Sequence, residues 1–503
     1  MPGCSKPDSR VLVLQLARLG DFLQTTPLLA ALKAQAPACL KVMVQPAQAP
    51  LAWASGLVDE VTVFDPASTQ SLMQQPDVAW PLKKANLDGQ LLHLREIEAD
   101  IAYNLNFSHL AALAMRRSRI SMERGWRLGR ENRLAGESWM AFVMGMAGAR
   151  KMSRMHLCDI LASYADPNGP PLRQLAHKLL RAAQARAEEL LNSLSGPLVA
   201  LQLGANSPLR CWPLGSFAAL ARQLMEQGVN IVILGNQHEE ALASQFLQHM
   251  GNRLQVLNLA GGTDIPTLAA VLARCDLLVS GDTGTLHLAS AVGTTCLALF
   301  MGPAQVHETG PYGDSHLTLQ ARHTCQPCVE DNPACKGQAP CRYFINPDSV
   351  IRASLGLLQK QKLQTLASLL GLSREVEAYQ GQWDGFGLTY QPLHKPLNAS
   401  LENALALALR EAGRVLQRGA YGTDMDALEH ELRRSYRQPD PEIQEQLTPY
   451  MEELFLIADQ PGDMALENIS QPLRPLLIGQ PERRRPACRS AAAVLRLIQQ
   501  IQL

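Results

Sequence analysis

The chain has 503 residues, too many for one hydrophobic core, so two or three domains are expected. Lys plus Arg and Asp plus Glu balance at 46 each, which removes any global charge argument for nucleic acid as a partner. No apolar run reaches the roughly 18 residues a spanning helix needs, and Met1–Arg10 has no apolar segment of the kind that marks a secretory signal.

The first half alternates short apolar runs with helical spacing. Val11–Leu16, Lys41–Val44, Val61–Phe64 and Asp100–Leu105 read as strands. Leu28, Leu29 and Leu32, and later Leu110, Leu113 and Ala114, keep a helical period. Between the first strand and the first helix stands Leu16-Ala-Arg18-Leu-Gly20-Asp21. Gly20 allows a tight turn and Asp21 enters the helix, either as a capping carboxylate or as a general base for an attacking hydroxyl. The loop has one glycine where a dinucleotide fingerprint needs three, which argues against a nicotinamide cofactor. Arg116, Arg117, Arg119, Arg124, Arg127, Arg130 and Arg133 follow, read as a solvated helix face with Glu123 and Glu131. A polar stretch at Asp166–Leu172 and an Ala/Arg/Leu-rich helix ending near Ser195 mark the domain boundary.

The second half repeats the alternation. Leu198–Leu203, Asn230–Leu234, Gln255–Leu259, Asp276–Val279 and Thr295–Phe300 read as strands, with helices such as Ser216–Gln227 and Pro266–Arg274 between them. Strands separated by helices imply βαβ units and parallel sheets, so the fold class is α/β with two doubly wound domains facing a cleft. Ligands bind such sheets beyond the carboxyl ends of the strands. Three loops there carry candidate ligand contacts. In Gly204–Pro213, Asn206 and Ser207 let backbone approach a ligand, Arg210 can fork onto phosphate oxygens, and Trp212 packs beneath. In Gly235–Glu240, Glu239 or Glu240 can accept ribose hydroxyls, or be first-turn helix acids favoured by the dipole. In Ser280–His287, Thr283, Gly284 and Thr285 offer N–H groups and hydroxyls to a diphosphate at a helix N-terminus. Asp282 orients that loop or meets a sugar hydroxyl, and His287 is a phosphate donor or a satisfied helix-start histidine.

Cys325, Cys328, Cys335 and Cys341 lie within 17 positions, interleaved with prolines. They read as a structural tetrathiolate site for zinc or iron, with reduced or partly disulfide-linked thiols as the alternative. Cys39, Cys158, Cys211, Cys275 and Cys296 read as buried free thiols, and a reduced, cytoplasmic compartment fits this usage best. From about Gln361 the strand alternation stops and helical spacing takes over at Leu401, Ala404, Leu405 and Ala408. A mostly α-helical third domain is expected, with breaks such as Gln438-Pro-Asp-Pro, serving docking or oligomerisation rather than a second active site. Pro481-Glu-Arg-Arg-Arg-Pro486 reads as a short basic linker, with a membrane-surface contact as the alternative.

With these loops in place, the chain resembles glycosyltransferase family 9, the lipopolysaccharide heptosyltransferase family. The resemblance rests on Arg18-Leu-Gly-Asp21 with Thr25-Thr-Pro27, Gly204–Pro213, Gly281–Ala289, Gly302-Pro303 and Thr309–Gly313, and runs over roughly residues 10–360. It implies a GT-B fold and an inverting transfer, without catalytic metal, from a nucleotide-activated sugar, commonly ADP-heptose. It assigns Asp21 as catalytic base, Arg210 to the place where the family usually has a lysine on the donor phosphates, Glu239 or Glu240 to the ribose, and Thr283, Gly284, Thr285 and His287 to the diphosphate. Arg18, Arg117 and Arg124 are the candidate acceptor contacts, toward an anionic glycolipid such as a Kdo–lipid A-like acceptor.

The expected boundaries are residues 1–175 for the acceptor domain and 196–346 for the donor domain with its Cys-rich segment 325–341. A crossover helix at 347–361 returns to the first domain, and residues 362–503 form the helical extension. The partners expected are a nucleotide-sugar donor and an anionic glycan or glycolipid acceptor, with peripheral contact at the inner face of the cytoplasmic membrane and oligomerisation through the C-terminal helices. Two other readings stay open at this point: a protein glycosyltransferase of the same family, and a non-catalytic nucleotide-sugar-binding scaffold.

Overall fold

The computed structural model describes residues 9–147, 150–166, 172–251, 254–323, 325, 328, 335, 339–384, 387–393, 401–418, 426, 429–430, 441–459, 469–477 and 481–500. The stretch 167–171 of the expected linker and the break at Gln438–Pro441 up to residue 440 lie outside them.

Two sheets organise the chain. The first has strands β1 (Arg10–Gln15), β2 (Cys39–Val44), β3 (Glu60–Val63), β4 (Glu98–Asn104) and β5 (Arg119–Gly125) in the order β3-β2-β1-β4-β5. After the short ribbon β6 (Arg127–Leu128) and β7 (Leu134–Ala135), the second sheet contains β8 (Leu198–Gln202), β9 (Asn230–Leu234), β10 (Val256–Asn258), β11 (Leu277–Ser280), β12 (Cys296–Phe300) and β13 (Leu317–Ala321). These six pair in parallel in the order β10-β9-β8-β11-β12-β13. Continuous apolar runs suit strands covered on both faces by helices: β8, β9 and β12 are buried along their whole length. In each sheet the order reverses beside one strand, between β1 and β4 and between β8 and β11. Those switch points leave a crevice at the strand ends.

Four expectations change, two of them about strands. Arg119–Gly125 is not part of a helix face but the edge strand β5, paired with β4 from Glu98↔Arg119 to Asn104↔Gly125. Charged side chains on an edge strand discourage further pairing, which accounts for the arginines there. Strand structure also continues past Gln361: β14 (Val376–Asp384) and β15 (Gly387–Pro392) form a hairpin that adds antiparallel to β13 and completes an eight-stranded sheet.

The helix Pro347–Leu358, expected to cross back to the first domain, instead packs on the helix Leu214–Glu226 and against β11. Its Val350 and Ala353 belong to the second-domain core. The return crossing is made later. Leu401–Arg418 lies against Ser138–Ala147 and the turn Arg150–Met152 of the first domain, and packs with Pro441–Asp459 and Pro481–Gln500 into a helical layer. The contact is close enough that a Cβ on Gly413 would stand 2.5 Å from Phe142 Cε1. The basic segment read as a linker is the first part of the helix Pro481–Gln500, with proline at the position whose missing N–H costs least.

Candidate active site

The helix Leu19–Ala34 begins directly after β1, and the helix Gly284–Ala291 directly after β11. Their N-termini meet across the interdomain cleft. A Cβ on Gly20 would lie 2.8 Å from His287 Cδ2, and one on Gly284 would lie 2.8 Å from Leu19 Cδ2. Glycine at both positions is therefore what allows the approach, and two positive dipole ends converge on one space. That space is a cavity of about 480 Å³. Its walls come from the loops after β1, β8, β9 and β11, and they include Gly20, Asp21, Asn206, Arg210, Glu239 and Asp282–Thr285.

A second cavity of about 390 Å³ opens at the first-sheet switch point. Leu16, Leu105, Phe107, Leu110, Leu157 and Leu161 give it an apolar wall, and Gln15, Gln45, Asn106 and Ser108 give it polar edges. Asp21 lines both cavities.

Asp21 also performs the structural job foreseen for it, since its carboxylate accepts the Arg18 N–H at 2.9 Å and caps its own helix. Burial raises its carboxyl above the ordinary aspartate value, with a smaller push from Asp282; the Arg18 N–H and the Arg18 and Arg210 charges oppose this. A carboxyl raised in a cleft has the affinity for protons that a general base needs.

Across the cleft, Arg210 Nη1 donates to Asp282 Oδ2 at 2.6 Å. Asp282 is thus the residue that orients the guanidinium. His287 is buried, and burial together with Arg210 pushes it down to about 4. Its 3.8 Å approach to Asp282 is therefore not an ion pair at neutral pH, and the neutral imidazole sits 3.4 Å from the Gln24 amide. Thr283 caps the helix through its hydroxyl, which accepts the Leu286 N–H at 3.3 Å, and shares a 2.9 Å bond with Ser280.

Glu239 and Glu240 separate cleanly. Glu239 lines the cleft and accepts from Gln202 Nε2 at 3.2 Å and from the Asn236 N–H at 2.8 Å. Glu240 is exposed, and a Cβ on Gly261 would meet its Oε1 at 2.1 Å, outside the cleft wall. Asn206 lines the cleft, whereas Ser207 is buried and caps the turn Pro208–Arg210 by accepting the Leu209 N–H at 3.4 Å. Trp212 is buried as expected and donates to the Ile345 carbonyl at 2.8 Å.

Of the candidate acceptor arginines, Arg18 lines the larger cavity. Arg117 is exposed on its helix, and Arg124 pairs with Glu137 at 2.8 Å; neither is among the cavity-lining residues. Two contributors carried no clear signal in the sequence. Gln202 ties the cleft together by accepting from Thr285 Oγ1 at 2.9 Å while donating to Glu239; as the last residue of a buried strand it reads only as a polar terminus. Arg150 lines the cleft from a segment without any motif.

The four clustered thiols are neighbours: burial and the adjacent Cys335, Cys341 and Cys325 push the Cys328 thiol up to about 11. His323 Nδ1 lies 2.9 Å from Cys325 Sγ. Among the described residues, no three His, Cys, Asp or Glu groups are placed to hold a metal ion. Cys158, Cys275 and Cys296 are buried free thiols, while Cys39 and Cys211 are half-buried. Among the described residues no helix is long and apolar enough to cross a membrane.

Comparison with known proteins agrees with this architecture. The family model described as glycosyltransferase family 9 (heptosyltransferase) matches residues 91–337; Asp21 precedes that span. Lipopolysaccharide heptosyltransferase 2 of Escherichia coli K12 is 25% identical over 372 residues, covering 70% of this chain and 99% of that protein. Lipopolysaccharide heptosyltransferase 1 of Pseudomonas aeruginosa PAO1 is 31% identical over 147 residues, 28% of this chain and 39% of that protein. Among solved structures, a family 9 glycosyl transferase from Veillonella parvula DSM 2008 superposes with a TM-score of 0.56 at 19% identity, over 71% of this chain and 100% of that one. The E. coli ADP-heptose lipopolysaccharide heptosyltransferase II does so with a TM-score of 0.54 at 21% identity, over 70% of this chain and 99% of that one. The two facing doubly wound domains are the GT-B fold of these structures. Over these residues the chain is similar to glycosyltransferase family 9, and it is a glycosyltransferase.

Proposed function

We propose that this enzyme transfers a heptose from ADP-heptose, with inversion, to a lipopolysaccharide core or related glycan, with Asp21 as the general base. The observation that carries the reading is the position of Asp21 in the walls of both cavities. A base that removes a proton from an acceptor hydroxyl must touch the acceptor and face the donor carbon at once.

The donor occupies the larger cleft in this reading. Its diphosphate faces the N-terminus of Gly284–Ala291 and the Arg210 guanidinium that Asp282 holds, and its ribose hydroxyls meet Glu239. His287, neutral at physiological pH, serves as a hydrogen-bond partner rather than a cation. Asp21 takes the acceptor proton as the acceptor oxygen bonds to the anomeric carbon from the face opposite the nucleotide. The carbon–phosphate oxygen bond breaks, and its electron pair remains on the diphosphate beside Arg210 and the helix dipole. These groups supply the charge stabilisation, so no catalytic metal is assigned. The names of the E. coli and P. aeruginosa relatives support heptose and a lipopolysaccharide acceptor.

The smaller cavity takes the acceptor. Phe107 and Leu110, both on its wall, are exposed, which supports a peripheral contact with the cytoplasmic face of an inner membrane. The clustered thiols remain a proposed structural zinc or iron site: their chemistry suits a thiolate-preferring metal, although their placement is not a coordination set. Metal analysis of protein purified without chelator tests that site.

Thermal stabilisation across ADP, UDP, GDP and their sugar conjugates tests the donor reading. Selective stabilisation by ADP and ADP-heptose is expected, and stabilisation by UDP-sugars alone would replace it.

A further inference from the structure

Arg150 lies in the turn Arg150–Met152, between the first-domain helices Ser138–Ala147 and Leu157–Ala162. Its guanidinium is bound to the other domain. Nε and Nη2 donate to the Glu308 carboxylate at 2.9 and 2.5 Å, and Nη2 also donates to the Pro303 carbonyl at 2.8 Å. The two side chains are 28% and 20% exposed. Among the described residues, Nη1 makes no hydrogen bond, and the side chain lines the donor-side cleft together with Thr309 and Asp282–Thr285. Arg150 and Glu308 both feel the charge of Asp282, and Glu308 also feels Arg210, so the two ion pairs stand at one end of the same cleft.

Removing an ion pair from water costs solvation that mutual attraction seldom recovers. As interdomain attachment alone, this pair is a poor solution. A guanidinium fixed on two edges with its third nitrogen open has instead the arrangement that receives a phosphate oxygen. We propose that Arg150 is a donor-binding residue that reaches from the first-domain side to the sugar-bearing phosphate of the nucleotide diphosphate, with Glu308 as its positioning residue. The inference rests on the donor reading of the cleft and deepens it. When the sugar–oxygen bond breaks, Arg150 and Arg210 face the charge left on that phosphate from opposite domains, so the donor itself ties the domains together. The segment Gly302–Gly313 acquires a physical role, since Pro303 and Glu308 hold the arginine.

AMP lacks the distal phosphate, so comparison of ADP with AMP isolates the contact. Calorimetry on the full chain is expected to show that Arg150→Gln lowers ADP affinity about 10-fold, the loss of one charge-assisted hydrogen bond, and leaves AMP affinity unchanged. Arg150→Lys should recover part of the ADP preference. Equal losses for both nucleotides would assign Arg150 a purely structural role, and an unchanged ADP preference in Arg150→Gln would remove the contact; either overturns the inference alone. Wild-type protein that binds neither nucleotide would overturn the donor reading and this inference with it.

Discussion

Asp21 caps its helix and is the proposed base, and a pair of substitutions can separate the two roles. Its carboxylate accepts the Arg18 N–H at 2.9 Å, and an asparagine at the same place presents an amide oxygen to that N–H. Asp21→Asn should therefore keep the cap and leave stability within a few tenths of a kcal/mol, whereas Asp21→Ala loses the cap and about 1 kcal/mol. Neither variant can take a proton. General-base contributions run to roughly 10²–10⁴ in rate, so both should lose turnover on that scale while ADP affinity stays near wild type. Transfer kinetics with ADP-heptose, ADP calorimetry and chemical denaturation on the three proteins give the comparison. An Asp21→Asn enzyme within about threefold of wild-type turnover, far short of that range, would mean that the carboxylate is only a cap. The pH profile offers a second reading of the same group. Burial raises the Asp21 carboxyl, so kcat/KM should rise with pH through an acid limb above the ordinary aspartate value, as the carboxyl loses its proton.

Other perturbations follow from close approaches and buried groups. A Cβ on Gly204 would stand 2.1 Å from Glu239 Oε1, so Gly204→Ala should displace that carboxylate and weaken ADP binding roughly 10-fold, as calorimetry would show. Gly281→Ala would bring a Cβ within 2.6 Å of the Arg210 carbonyl; backbone cannot step aside cheaply, and a loss of about 1–3 kcal/mol in denaturant titration is expected. Tyr312 donates to Asp159 at 2.7 Å where the first domain, the second domain and the hairpin meet. Tyr312→Phe leaves that buried carboxyl short of a donor and should cost about 1–3 kcal/mol. Burial pushes Asp159 from 3.8 up to about 7, so in that interval the folded state holds a proton that the unfolded chain has released. This stabilising contribution is complete below about pH 4 and is lost as pH rises through about 7. Melting temperature should therefore fall from pH 5 to pH 8, and Asp159→Asn should make that slope shallower.

The parallel cores were legible because their strands are uninterrupted apolar runs and their ligand loops carry glycine and small polar residues at strand ends. Arg119–Gly125 was misread because an edge strand rich in arginine hides its alternation; only Ile120 and Met122 mark it. The hairpin β14–β15 left a trace in the alternating Val376, Ala378 and in the Asp384-Gly turn signal, but a single hairpin beside long helices is easily absorbed into them. In the site, Asp21, Asn206, Arg210, Glu239 and the Asp282–His287 loop are all on the cleft wall. Ser207 and Glu240 share their loops but turn to capping and to Gly261, because neighbouring residues on a turn point in different directions. Gln202 and Arg150 could not be found by spacing. Their roles depend on contacts 83 and 158 positions away in the chain, which only the folded interface creates.

Transfer itself remains the most direct measurement. Purified enzyme incubated with ADP-heptose and a lipopolysaccharide acceptor lacking its heptoses should yield an acceptor heavier by one heptose in mass spectrometry, with ADP released in equal amount and Asp21→Asn producing almost none. Wild-type protein that binds ADP-heptose yet leaves every such acceptor at its starting mass, or an Asp21→Asn variant that adds heptose at the wild-type rate, would contradict the mechanism at its centre.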